Sequence, residues 1–388
     1  MKILFLNYEY PPLGGGAGNA TKYLLQEYAK HEDLSVDLVT SAIDEEFVES
    51  RINGKVGILR LPIGKNGKNY QKQSIRDLLV YSWRAYFFSR AQLKKGESYD
   101  AIHAFFSVPC GVLAMLLSWE FRIPYIVSLR GADVPGYAER FTFLYGFLRP
   151  IVRLVWKYAR CVISNSEGLR QLALKTKPDQ NISVIYNGVD TEFFYPDEGK
   201  RNPKMTTILC ASRLTRRKGF IYAIEAFSKI SQKYNTIRMI IAGGDGNATE
   251  ELKRYVEQLN LTKRITFFGE YNHNSLLKLQ QSSNIFLFPS LNEGMSNSML
   301  EAMASGLPVI MTPTGGAQEL VEEGKNGFLV GFRDAEDIAK KLEMLIQDKD
   351  LCKEMGRESR RRAQTLSWSS VALEYKNRYA QSISKNEK

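Results

Sequence analysis

Long apolar runs are missing from this 388-residue sequence. After the opening segment the longest is Cys110 to Trp119, far short of the roughly 20 residues that a membrane-spanning helix needs. At the start, MKILFLN loses its apolar character at Asn7, too early for the hydrophobic region of a signal peptide, and reads as a first buried strand. Cysteine is scarce and dispersed: Cys110, Cys161, Cys210 and Cys352 form no CxxC pair, which excludes the usual zinc and disulfide spacings. Three of them lie in or beside apolar runs, as plain buried thiols do. Low-complexity segments and internal repeats are also missing. These absences make the cytoplasm the expected location.

What is present is ordinary for a globular protein: 44% hydrophobic and 24% charged residues, in a chain long enough for two domains. The formal charge of +11 is concentrated toward the N-terminal half, where residues 1–185 carry 24 Lys and Arg against 17 Asp and Glu. Such an excess suits an anionic partner, whether nucleic acid, a phosphate-bearing substrate or an anionic membrane surface. No zinc-finger spacing, aromatic RNP-like strand or recognition-helix pattern is found, so nucleic acid is not expected.

Short apolar runs alternate with segments of helical period along the whole chain. Strands are expected at Ile3–Asn7, Val36–Thr40, Gly57–Leu61, Ala101–Phe105, Tyr125–Leu129, Val162–Asn165 and Ser183–Tyr186, with helices such as Asn19–Lys30 and Gln73–Lys94 between them. The pattern restarts after the polar, proline-flanked stretch from Tyr195 to Pro203, with strands at Thr207–Ala211, Arg238–Ala242, Ile265–Phe268, Ile285–Phe288 and Pro308–Met311. Strand–helix alternation with strands apolar on both faces means parallel sheets covered by helices. The fold class is therefore α/β, as two doubly wound Rossmann-like domains joined near residue 200, with ligands expected at the carboxyl ends of the strands in a cleft between domains.

Three loops carry the candidate chemistry. Asn7 to Gly18 follows the first strand and contains Gly14, Gly15 and Gly16, whose amides could approach an anion at a helix N-terminus. It is neither a clean GxGxxG nor a P-loop. Ala211 to Gly219 occupies the equivalent place in the second half; Ser212 and Arg213 sit just past a strand, and Lys218 at the start of the next helix, so that the two cations could hold a diphosphate. Pro289 to Pro308 runs from a strand through the loop Glu293-Gly294-Met295-Ser296 into a helix beginning near Asn297, which Ser296 or Asn297 could cap. Glu301 lies about a turn into that helix, where its carboxylate could accept both hydroxyls of a ribose.

The second half resembles glycosyltransferase family 4, whose members are retaining enzymes with the GT-B architecture. Tyr186-Asn187-Gly188-Val189-Asp190 through Phe194, Arg213 with Lys218, Ile241-Ala242-Gly243-Gly244-Asp245-Gly246, and Glu293 with Glu301 match its motifs in order. The resemblance implies an N-terminal acceptor-binding domain over 1–190, a nucleotide-sugar domain over 200–365, and a segment 366–388 whose helix crosses back to the first domain. It implies transfer of a hexosyl group from a nucleotide diphosphate sugar to a hydroxyl acceptor, with Arg213, Lys218 and Glu293 catalytic. Donor contacts are expected from Gly15, Gly16, Ser212, Arg213, Lys218, Gly243, Tyr271, Glu293, Gly294, Met295, Ser296, Asn297 and Glu301. No residue reads uracil against guanine; a UDP-sugar is the favoured donor, as a co-substrate with no cofactor.

In place of the family's usual His-Gly pair the sequence has Arg130-Gly131, so contacts to the acceptor, or to the donor phosphates, are expected from Arg130 and Asp133 rather than from a histidine. His103, inside a strand, reads as a core residue. The DxD at Asp348-Lys349-Asp350 falls between late helices, and activity without divalent metal is expected. Arg149, Arg153, Lys157 and Arg160 recur at helical spacing in the apolar segment Phe141–Arg160, the pattern of a helix that can lie on an anionic membrane. A lipid-linked precursor of surface polysaccharide, reached from the inner face of the cell membrane, is the working acceptor. Two other functions fit the fold: a sugar-nucleotide epimerase, which would turn over donor without acceptor, and a non-catalytic partner protein, which would bind donor unchanged.

Overall fold

The computed structural model describes residues 1–65, 73–137 and 142–384, with backbone alone for 142–144. Phe141, the first residue of the basic segment singled out above, lies outside the described residues. The chain divides into two compact units, residues 1–187 with 368–388 and residues 188–367.

The first unit runs β1 (Lys2–Leu6), α1 (Gly16–Tyr28), β2 (Ser35–Ala42), β3 (Val48–Ile52), β4 (Val56–Pro62), α2 (Ile75–Lys94), β5 (Ala101–Phe105), α3 (Val112–Phe121), β6 (Tyr125–Leu129), α4 (Thr142–Tyr158), β7 (Cys161–Ser164), α5 (Glu167–Leu174) and β8 (Ile182–Val184). Its sheet has the order β3-β4-β2-β1-β5-β6-β7-β8. All pairings are parallel except β3 with β4. The β3 edge strand, Val-Glu-Ser-Arg-Ile, escapes a search for apolar runs because it is largely exposed. The interior strands β1, β5 and β6 are apolar apart from Lys2, His103 and Ser128, as burial on both faces favours. α2 starts later than its periodicity suggests because Ser74 caps it, accepting from the Asp77 amide while Asp77 accepts from the Ser74 amide.

The second unit contains β9 (Thr206–Ala211), α6 (Phe220–Ser231), β10 (Ile237–Ala242), α7 (Thr249–Gln258), β11 (Ile265–Gly269), α8 (His273–Gln281), β12 (Ile285–Phe288), α9 (Asn297–Ala304), β13 (Val309–Met311), α10 (Ala317–Leu320), β14 (Gly327–Leu329), α11 (Ala335–Gln347) and α12 (Lys349–Gln364). The sheet is parallel, in the order β11-β10-β9-β12-β13-β14. The three-residue β14 is too short to leave a periodic signal. Asp348, half of the DxD, caps α12 by accepting from the Leu351 amide at 2.8 Å.

The last helix, α13 (Trp368–Ser384), belongs to the first unit. Trp368 stacks on Tyr23, and a buried polar thread secures the rest. Tyr28 and Tyr379 hydroxyls are 2.9 Å apart, the Tyr379 hydroxyl is 2.7 Å from His103 Nδ1, His103 Nε2 is 2.8 Å from Ser128 Oγ, and Ser128 donates to the Tyr375 hydroxyl at 3.3 Å. One proton order satisfies all of them. Tyr28 donates to Tyr379, Tyr379 to Nδ1, and a neutral imidazole with its proton on Nε2 donates to Ser128; this tautomer is inferred from the partners. Burial holds the His103 imidazole well below its ordinary pKa, with the Arg130 charge adding to the effect.

The unfolded chain therefore takes up a proton that folded His103 refuses, and folding loses stability as pH falls below the ordinary histidine value near 6.5. Replacing His103 with Asn should destabilise the protein by about 1–3 kcal/mol at neutral pH, through broken buried hydrogen bonds. Urea titrations between pH 7.5 and 5 should show the gap between wild type and His103→Asn narrowing toward acid. A constant gap would mean that the imidazole has the same pKa in the folded and the unfolded chain.

Candidate active site

In the second unit the chain passes from β9 to β10 and β11 on one side, then returns to β12, β13 and β14 on the other. The loops after β9 and β12 thus leave adjacent strands in opposite directions, opening a crevice at their carboxyl ends. The β9 loop closes in a 3₁₀ turn, Arg216–Lys218, ended by Gly219 at φ +67°. A Cβ on Gly219 would stand 2.0 Å from the Pro289 carbonyl oxygen, so only glycine allows the two loops to meet this closely.

Lys218 is buried at that meeting point. Its Nζ donates to Glu293 Oε1 at 2.5 Å and lies 5.0 Å above the Phe288 ring. Ser290 Oγ donates to the same Glu293 oxygen at 2.8 Å. Burial pulls the Lys218 ammonium down in pKa, with the Glu293 charge resisting. On Glu293 burial pushes upward, but Lys218, Arg217 and the Ser290 hydrogen bond hold the carboxyl below its ordinary range. The guanidinium of Arg213, half-buried in the same loop, has no hydrogen bond or ion pair among the described residues, whereas Arg216 turns away to bind Glu251 at 2.8 Å. Cationic charge is thus in surplus at the crevice.

The loop after β12 brings up the second half of the site. Ser296 caps α9, accepting from the Met299 amide at 3.4 Å, with Met295 buried beside it and Asn297 opening the helix. Gly294 is fixed from behind: its carbonyl accepts from the Gly316 amide at 2.7 Å. One turn into α9, the Glu301 carboxylate has no partner among the described residues, and burial pushes its pKa up to about 7. Tyr271, just beyond β11, is close enough for the Glu301 charge to add to the burial that raises its own pKa. Ser212 and Gly243 serve loop packing, since a Cβ on Gly243 would lie 1.8 Å from the Ser212 carbonyl oxygen.

One element of this site was missed in the sequence. Thr312 to Gly316, after β13, lies against the Glu293–Gly294 backbone, and the buried Thr314 hydroxyl has no partner. The Gly315-Gly316 pair after a strand was the available signal, of the kind already noted after β1.

The remaining candidates lie in the first unit, where the order of the sheet reverses between β1 and β5. Gly15 caps α1 and Gly16 opens it, but the Gly15 amide already donates to Glu9 Oε2 at 3.3 Å. An internal carboxylate therefore occupies the place expected for a ligand anion. Asp133 also departs from expectation. It is buried, with Oδ2 accepting from the Ser107 amide and hydroxyl at 2.8 and 2.9 Å and Oδ1 from the Arg130 and Gly131 amides at 2.9 and 3.0 Å. Asp133 organises these loops and has little capacity left for an acceptor. Arg130 stands 4.3 Å over Phe105 and donates to Asn187 Oδ1 at 2.9 Å; its burial draws its pKa down.

The sequence pattern described as "Glycosyl transferases group 1" matches residues 192–362, and "Glycosyltransferase Family 4" matches residues 14–193. An Escherichia coli UDP-Gal:alpha-D-GlcNAc-diphosphoundecaprenol alpha-1,3-galactosyltransferase is 30% identical over 67% of this chain and 70% of its own length. The chain belongs to glycosyltransferase family 4. An uncharacterised glycosyltransferase of Methanocaldococcus jannaschii is 27% identical to the transferase over 98% of both chains. The structure of sucrose-phosphate synthase from Thermosynechococcus elongatus superposes with a TM-score of 0.85 at 22% identity, covering 99% of the transferase and 100% of that chain. The transferase thus has the GT-B fold, two Rossmann-like domains with parallel sheets, and uses a nucleotide-sugar donor.

A carboxyl raised to about 7 stabilises the fold below its unfolded value near 4.5 and loses that contribution as pH rises through 7. Thermal melts of Glu301→Gln should therefore gain on wild type as pH rises from 4.5, with the gain levelling off above 7. Parallel melting curves would show that Glu301 ionises normally in the fold.

Proposed function

We propose that the transferase moves a hexosyl group, with retention, from a UDP-sugar to a hydroxyl of a lipid-linked polysaccharide precursor at the inner face of the cell membrane. The observation that carries the donor half is the surplus of cations where the β9 and β12 loops meet, with Arg213 unpaired beside the Lys218–Glu293 pair. A nucleoside diphosphate supplies the missing anion. Lys218 has three donors and uses one on Glu293, so it can keep that partner and still bind a phosphate oxygen.

In the reaction the anomeric C–O bond to the diphosphate breaks and a new C–O bond to the acceptor forms on the same face. The acceptor proton passes to the departing phosphate, so no protein nucleophile is required. Negative charge grows on the diphosphate as it leaves. Arg213, Lys218 and the first-turn amides of α9 stabilise it, at about 3–4 kcal/mol per key donor. With these groups carrying the charge, turnover needs no divalent ion. Glu301 takes the ribose hydroxyls and Glu293 orients the transferred sugar. The Escherichia coli relative is named for a UDP-sugar donor and a diphosphoundecaprenol acceptor, which supports UDP and a lipid-linked acceptor here.

Replacing Lys218 with Ala should lower turnover about 100-fold or more. The assay follows UDP release from UDP-hexoses, with GDP- and ADP-hexoses as comparators and with or without a polyprenyl-diphosphate sugar. Acceptor-dependent UDP release is the expected result. Acceptor-independent isomerisation, or donor binding with no turnover, would replace this function with one of its two rivals.

A further inference from the structure

Among the described residues the exposed large apolar side chains of the first unit are concentrated on one layer of helices. Along α2, Ile75, Leu79, Trp83 and Phe87 recur every fourth residue and form a continuous outward stripe, with Trp83 69% exposed. The side of α2 turned to the core carries Tyr81, Ala85 and Ser89. A helix at an ordinary water-facing surface shows polar residues on its outer face; α2 shows tryptophan and leucine there. On α4, Phe147, Ile151, Leu154 and Tyr158 are likewise exposed while Val152, Val155 and Trp156 face inward. α3 packs against both helices, and its exposed Trp119 meets Tyr158 edge-on with ring centroids 5.5 Å apart. The three helices therefore share one layer.

Cations flank these stripes. α2 carries Arg76, Arg84 and Lys94, and α4 carries Arg149, Arg153 and Lys157 with no acidic residue in its sequence. The acids of the layer are already committed: Asp77 caps α2 and pairs with Lys65, and Glu120 of α3 is bound by Arg90 at 2.7 Å. Long basic side chains beside exposed apolar surface can lay their stems along it and extend their heads to anions.

We propose that the outer face of the α2–α3–α4 layer docks on an anionic membrane surface, with the tryptophan, phenylalanine and leucine side chains at the boundary between headgroups and acyl chains and the cations on lipid phosphates. The charge distribution selects a bilayer over a second copy of the chain. A self-complementary dimer through this face would bring the two sets of cations together with no spare carboxylate to pair them. The proposal deepens the lipid-linked reading of the acceptor, and it is measured by vesicle binding, apart from turnover, so either can fail alone.

The test is co-sedimentation of the full chain with phosphatidylcholine vesicles and with vesicles that also contain phosphatidylglycerol. Wild type should pellet with the anionic vesicles only, less so in high salt. Leu79→Ser with Trp83→Ser, and separately Arg84→Glu with Lys157→Glu, should each weaken binding about tenfold or more. All four residues are exposed, so both variants should keep the wild-type melting temperature and its shift on adding UDP. Wild type that stays in the supernatant with phosphatidylglycerol vesicles would overturn the proposal, as would unimpaired binding by either variant. A dimer in sedimentation equilibrium that Leu79→Ser with Trp83→Ser dissolves would assign the face to a second copy instead.

Discussion

The ion pair between Lys218 and Glu293 sits where the direction of the second sheet reverses, and the geometry of the candidate site depends on it. Taking two charges out of water costs several kcal/mol per ion, so such a pair is poor evidence for stability. Its consequence is positional. It ties the 3₁₀ turn after β9 to the loop after β12, at the point where Gly219 lets the two backbones touch. It also sets the Glu293 charge against the burial that draws the Lys218 ammonium down in pKa beside the Phe288 ring. An anion arriving there meets charge already desolvated and oriented, the condition under which electrostatic stabilisation is strongest.

The same logic runs through the neighbouring groups in different forms. Arg213 is held near Lys218 with no carboxylate of its own, which leaves the crevice short of negative charge. Glu301 is a buried carboxyl with no cation, and its pKa rises to about 7. A ribose that donates two hydroxyls to it would favour the charged form and draw that value down. The site thus contains one satisfied pair and two unsatisfied groups of opposite sign, and a nucleoside diphosphate would satisfy both. In the first unit the polar groups at the corresponding strand ends are mostly bonded to one another. Asp133 holds four donors, and Glu9 holds the Gly15 amide.

Much of the second unit was legible because its chemistry lies in short loops next to apolar strands. Arg213, Lys218, Glu293 and Glu301 each fall a few residues from a strand or helix end, so periodicity alone places them near one edge of the sheet. The contact between Lys218 and Glu293 was not legible, because residues 75 apart meet only through the β9–β12 adjacency. The roles of Gly15 and Asp133 were hidden for the same reason: whether an amide or a carboxylate is free depends on partners that spacing does not reveal. The outward stripe of α2 was missed because a helical period of apolar residues normally marks the buried face, and here that period lies on the exposed one. His103 read correctly as a core residue, yet nothing in the sequence announces that its partners are Tyr379 and Ser128.

Recognition of a diphosphate by Arg213 and Lys218 is tested most directly by calorimetric titration with UDP and with uridine. Losing one charge-assisted contact is worth about 1.5–3 kcal/mol, or roughly 10–100-fold in affinity. Arg213→Ala should therefore bind UDP about 10–100-fold more weakly than wild type while uridine affinity stays the same. Equal discrimination between UDP and uridine by wild type and Arg213→Ala would contradict the account.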